Sequence, residues 1–206
     1  MDTLIPSEIN RIYTALFREV CPVHRYWGAF RHLFVSGQDV VDVLNDAAGD
    51  FVGIIQRLLA HEIVFAIARL TDPKQSAGQQ NLCLEQLVHS IDVSQHPQLR
   101  QNIEDIYAQS KSKFSFAKVY RNKLLAHHDL ATKLGDLSEP PIPTTVDIED
   151  GLKGIRNVMD AVPRYFAGLD VATVNYYDLV THHGGENRLI ARLRTAQGRS
   201  SLMAGA

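Results

Sequence analysis

The stretch VGIIQRLLAHEIVFAIARL, Val52 to Leu70, decides the fold. Wound at about 100° per residue, its apolar side chains cover most of the circumference. That pattern predicts a buried helix at the centre of a bundle. Helical periodicity reaches back to Asp39 and predicts a bend near Gly49 or Gly53.

Working outward, SEINRIYTALFREV predicts a first helix capped by Ser7, with Ile9, Ile12, Leu16 and Val20 at three- and four-residue spacing. Pro22 should end it, and HRYWGAFRHLF should form a second helix whose Trp27, Phe30 and Phe34 pack in a core. TDPKQSAGQQ reads as a loop, with Asn81 as cap for LCLEQLVHSI. Pro97 suits the first turn of the next helix, to about residue 110. The proline-rich segment Leu137–Thr145 cannot continue a helix, and Thr145 or Asp147 should cap a long one, kinked before Pro163. Residues 171–180 read equally as strand, loop or helical turn. ENRLIARLR predicts a short helix before a disordered small-residue tail, 196–206. The expectation is an all-α fold with a single domain over residues 1–195.

The chain has 206 residues, 45% of them hydrophobic, which is enough for a real core. A formal charge of -2 excludes a globally basic nucleic-acid binder but leaves room for a local basic patch. Cys21 and Cys83 form no CxxC pair and are expected to be reduced core thiols. Charged residues through the first twenty positions exclude a signal peptide, and the longest uninterrupted apolar run, IVFAIA, is far short of a membrane span. A soluble cytoplasmic protein with no membrane partner is expected.

The unusual chemistry lies in KSKFSFAKVYRNKLLAHHDL, Lys111 to Leu130. It carries Lys111, Lys113, Lys118, Arg121 and Lys123 with no carboxylate before Asp129. On an ideal α-helix Phe114, Ala117, Leu124 and Leu125 lie within about 60° of Arg121, which sets a guanidinium inside an apolar stripe. Burying that charge is costly unless it is paired or wet. His128 falls within about 20° of Arg121 and His127 about 120° away. Both sit at a helix end, where terminal carbonyls and the helix dipole are an ordinary use for histidine.

RNKLLAHHD, together with YWGAFRHLF, AIARLTDP and NLCLEQL in that order, resembles the HEPN superfamily, specifically its bacterial abortive-infection-like branch. The blocks cover most of residues 26–129. The resemblance implies an up-and-down bundle of four to five core helices with flanking helices. It implies a homodimer in which Arg–polar–His motifs of two chains share a cleft, and a metal-independent endoribonuclease. Carried onto this chain, the motif residues are Arg121, Asn122 and either His127 or His128; family spacing favours His127 and ideal α geometry favours His128. The branch that is partnered by nucleotidyltransferase antitoxins often has Tyr two positions after the His. Here Asp129 or Leu130 stands there, which argues against a modifiable tyrosine.

These residue types suit metal-free RNA cleavage. Histidine exchanges protons near neutral pH, and a guanidinium forks onto phosphate oxygens. Lys111, Lys118 and Lys123 are candidates for RNA binding, although a solvated face is the plainer use of Lys123. No cofactor and no metal site is expected, since His182-His183 lacks partners at ligand spacing. Three readings follow: a ribonuclease toxin or phage-defence effector, with an antitoxin protein as a candidate partner; a non-catalytic module binding nucleotide, RNA or protein; and a structural dimer. In the last, Arg121 is held by a carboxylate such as Glu62, while Asp72 only fixes a helix end.

Overall fold

The computed structural model describes residues 5–126, 134, 142–167 and 185–204. His127, His128, residues 171–180, His182-His183 and most of the proline-rich segment lie outside them. The described elements are α1 (Ser7–Phe34), α2 (Gln38–Leu70), β1 (Gln75–Ser76), β2 (Gln79–Gln80), α3 (Leu84–Ser90), α4 (Pro97–Tyr120), a π-helical segment (Arg121–Ala126), α5 (Thr145–Ala167) and α6 (Gly185–Ala204). The fold is all-α, with one miniature hairpin.

The chain divides into two compact units, Met1–Val23 with Val64–Asn175, and His24–Ile63 with Tyr176–Ala206. In the first unit α5 lies tight against α4 because two of its contact residues are glycines. A Cβ on Gly154 would stand 2.9 Å from the Phe114 ring, and one on Gly151 would stand 3.4 Å from the Lys113 carbonyl. Ile67, Leu84, Leu87, Ile91, Leu99, Ile103, Ile155 and Met159 are fully buried. In the second unit Val40, Leu44 and Ile190 form a small core, with Leu33, Phe34, Val52 and Leu193 packed on it. Arg194 reaches Asp39 at 2.5 Å across the same contact. Trp27 stacks on Phe30 at 5.7 Å, and Phe30 meets Phe34 at 5.2 Å, as their spacing predicts.

Several expectations are corrected. Pro22 does not end the first helix; α1 runs through it. A proline removes one backbone bond, and Leu16, Val20, Val23 and Trp27, all buried, hold the helix on either side. The bend expected near Gly49 or Gly53 is present, at Ala48 (φ -169, ψ 58), one residue before Gly49. The central stretch is not buried throughout: Ile63–Leu70 is, apart from Phe65 and Arg69, but Ile54 and Leu58 are exposed. By length and composition α2 is also apolar enough to cross a membrane, which a search for uninterrupted apolar runs misses. Asn81 does not cap α3, whose N-cap is Cys83; its amide bonds Pro73 O at 2.7 Å and Ser76 Oγ at 2.9 Å. Ala77 (φ 48) and Gly78 (φ 79) make the two-residue turn of the hairpin, a conformation that suits its strand twist. α5 is capped by Thr144, which exchanges bonds with Asp147 at 2.7–3.2 Å.

Candidate functional site

Everything described in the site belongs to the first unit. It starts where α2 stops. Thr71 turns its hydroxyl back onto Ile67 O at 2.8 Å, satisfying a terminal carbonyl, and Pro73 forbids another turn. Asp72 is thereby left facing outward from a fixed corner. The corner is held from below by Glu85, whose carboxylate accepts the Lys74 N–H at 2.6 Å, and by Asn81 N–H to Lys74 O at 2.9 Å.

Arg121 comes to this corner from the end of α4. Its Nη1 donates to Asp72 Oδ2 at 2.6 Å, and its Nε donates to Asn122 Oδ1 at 3.0 Å. The two charged side chains are 18% and 22% exposed, so the pair is neither sealed in the core nor loose on the surface. Arg121 therefore sits in the buried stripe of Phe114 and Ala117, as predicted, and the carboxylate that meets it is Asp72 rather than Glu62. The fork of a guanidinium carries five donors. The two bonds to Asp72 and Asn122 fix its plane and leave the Nη2 edge without a bond among the described residues.

The chain changes its winding at this arginine. From Arg121 to Ala126 the backbone is π-helical, bonding i to i+5, so each residue advances by less than in an α-helix. Projecting His127 and His128 from Arg121 with α geometry is therefore invalid. The choice between His127 and His128 lies outside the described residues.

Thr71 and Pro73, the chain neighbours of Asp72, line an open cleft of about 310 Å³ together with Glu85, Tyr107, Lys111, Ser115 and Lys118. Two of the three lysines expected to bind RNA are thus brought together, while Lys123 does not line the cleft. The Lys111 ammonium stands 5.1 Å from the Tyr107 ring centre, a cation–π contact. Burial, with Glu85 and Cys83 nearby, pushes the Tyr107 phenol up to about 12, so it stays neutral at physiological pH. Burial likewise raises the Cys83 thiol, with smaller contributions from Glu85 and Asp72. That thiol is protonated and buried rather than nucleophilic.

Sequence reasoning missed Glu85 and Tyr107 and gave Asp72 a lesser role. The lysines have no acids near them in sequence, but the fold brings Glu85 into their cleft from 26 or more residues away, and Asp72 to Arg121 from 49. Only the DP dipeptide closing AIARLTDP marked that corner. Among the described residues no group of three His, Cys, Asp or Glu side chains could hold a metal ion.

A model of the HEPN family AbiU2 matches residues 6–186, which takes in α1 to α5, the corner and the cleft. No curated protein and no solved structure matches the chain.

Proposed function

The chain belongs to the AbiU2 family of HEPN proteins, an abortive-infection module, and from that premise we propose that it is a metal-independent endoribonuclease acting as a toxin or phage-defence effector. One observation carries the reading. A guanidinium with its plane fixed by Asp72 and Asn122 is tied to a corner whose Thr71 and Pro73 line an open cleft together with Lys111 and Lys118. A pre-oriented guanidinium spends little entropy in meeting a phosphate, and flanking ammonium groups follow the backbone.

In this reading the RNA 2′-oxygen attacks the adjacent phosphorus and the bond to the 5′-oxygen breaks. His127 or His128 takes the 2′-hydroxyl proton, and a second histidine, from a partner chain in a homodimer, protonates the departing 5′-oxygen. Arg121 balances the charge gathering on the phosphorane oxygens. The products are a 2′,3′-cyclic phosphate and a 5′-hydroxyl. Tyr107, neutral at working pH, lines the site without exchanging protons. Purified protein incubated with total RNA in EDTA should yield fragments with 2′,3′-cyclic phosphate ends. Cleavage that requires a divalent ion, or that leaves 3′-hydroxyl ends, overturns the mechanism.

The ion pair itself favours a second reading, in which Arg121 fastens α4 to the end of α2 and the module binds RNA or a protein without cutting. Retention of RNA binding with no cleavage under any condition would favour that reading.

A further inference from the structure

The cleft lined by Thr71 and Pro73 holds one group that a phosphate-binding surface does not need. Glu85, in the first turn of α3, is half-buried and lines the same cleft as Tyr107, Lys111 and Lys118. Its Oε2 accepts the Lys74 N–H at 2.6 Å, which fixes the carboxylate and leaves Oε1 without a bond among the described residues. It also makes no ion pair among the described residues, although two lysines line the cleft with it. A partly desolvated carboxylate with no counter-ion is costly. It would also repel the phosphates that Lys111 and Lys118 attract. Something other than a phosphate belongs against it.

The remaining polar atoms of the cleft narrow the choice. The Thr71 and Ser115 hydroxyls spend their protons on Ile67 O at 2.8 Å and Ser112 O at 2.9 Å. The Tyr107 hydroxyl keeps its proton at physiological pH and makes no hydrogen bond among the described residues. The cleft therefore offers a fixed carboxylate acceptor, a phenol donor and an apolar wall from Pro73 and Phe114. Its volume of about 310 Å³ is at the lower end of small-ligand sites, which suits one base rather than a stretch of duplex. A carboxylate only accepts hydrogen bonds. Among the RNA bases guanine alone sets two N–H groups side by side, N1–H and N2–H, with the O6 acceptor next to them. Adenine and cytosine present an amino group beside a bare ring nitrogen, and uracil an N–H between two carbonyl oxygens. We propose that this cleft holds a guanine base of the RNA, with Glu85 taking its N1–H and N2–H and Tyr107 donating to O6. Lys111 and Lys118 then hold the neighbouring phosphates. Glu85 is a specificity-determining residue, and this inference rests on reading the cleft as an RNA site.

Binding of 2′-O-methyl RNA hexamers, which lack a free 2′-hydroxyl and cannot be cut by its attack, tests it apart from cleavage. Uridine hexamers with a single central guanosine, adenosine, cytidine or inosine are titrated against the full chain by fluorescence anisotropy. The guanosine hexamer should bind about tenfold or more tighter than the adenosine and all-uridine ones. Inosine, which lacks the 2-amino group, should fall between. Glu85→Gln keeps an acceptor for the Lys74 N–H and should erase that order, leaving guanosine and inosine equal. Lys118→Met should instead weaken every hexamer by a similar factor. A merely structural Glu85 would lower all affinities together and leave the order intact. No binding of any hexamer, or a wild type indifferent to the base, overturns the proposal. So does a guanine preference that survives in Glu85→Gln. If 5′-GMP binds as tightly as the guanosine hexamer, the placement on RNA is overturned and the cleft is a free-nucleotide site. Guanine-selective binding without any cleavage in EDTA supports the inference and removes only the ribonuclease reading.

Discussion

Two stretches of α2, residues 51–58 and 63–70, both carry large apolar side chains and differ in what surrounds them. Ile63, Val64, Ala66, Ile67, Ala68 and Leu70 are buried, and the helix ends at the Thr71–Pro73 corner. Phe51, Ile54 and Leu58 are exposed, along with the charges that flank them. Apolar side chains serve as core in one stretch and as surface in the other. Apolar periodicity tells where a helix has a face to hide, and the neighbouring elements decide whether it is hidden within the chain.

Substitutions that treat the two stretches alike should give unlike results. Ile67→Ala removes three carbons from a fully buried site and should cost about 2–5 kcal/mol in denaturant unfolding. Leu58→Ala should change monomer stability by no more than about 0.5 kcal/mol. Equal losses would break the contrast. Gly154→Ala should cost about 1–3 kcal/mol, because its new methyl group would sit 2.9 Å from the Phe114 ring and press α5 off α4.

The titrating groups of the first unit sharpen the picture at smaller scale. Tyr107 has a folded-state value of about 12, above its ordinary value of 10. The unfolded chain loses that proton first, so stability should fall as pH rises from about 10 towards 12, and Tyr107→Phe should flatten that decline. Asp147 lies on the other side of the scale. The Thr144 hydroxyl and N–H hold its carboxyl below 3.8, so the cap it makes is present at neutral pH and is lost as pH falls below that value. Asp147→Asn should remove this acid-side decline and leave the alkaline one untouched.

Much of the architecture is legible in the residues. Pro97 does open a helix, Trp27, Phe30 and Phe34 do pack, and Arg121 does lie in an apolar stripe. What escapes is non-local. Asp72 meets Arg121 across 49 residues, and no spacing rule links a helix-ending carboxylate to an arginine so far away. Glu85 and Tyr107 enter the cleft for the same reason. Pro22 escapes because packing on both sides outweighs one missing bond. The choice between His127 and His128 lies outside the described residues, and the chain leaves α winding at Arg121, a change that a helical wheel cannot register.

The central claim is that Arg121, held by Asp72, acts on phosphate rather than only fastening α4 to α2. Cleavage rates at saturating RNA in EDTA, read beside melting temperature for Arg121→Ala and Asp72→Asn, test it most directly. Arg121→Ala should lose about 10²-fold or more in rate, and Asp72→Asn, which keeps a bond but not the charge, should lose about tenfold. Both should melt within a few degrees of the wild type. Full activity in Arg121→Ala, together with a sharp drop in melting temperature, would contradict the account and make the pair a structural fastening.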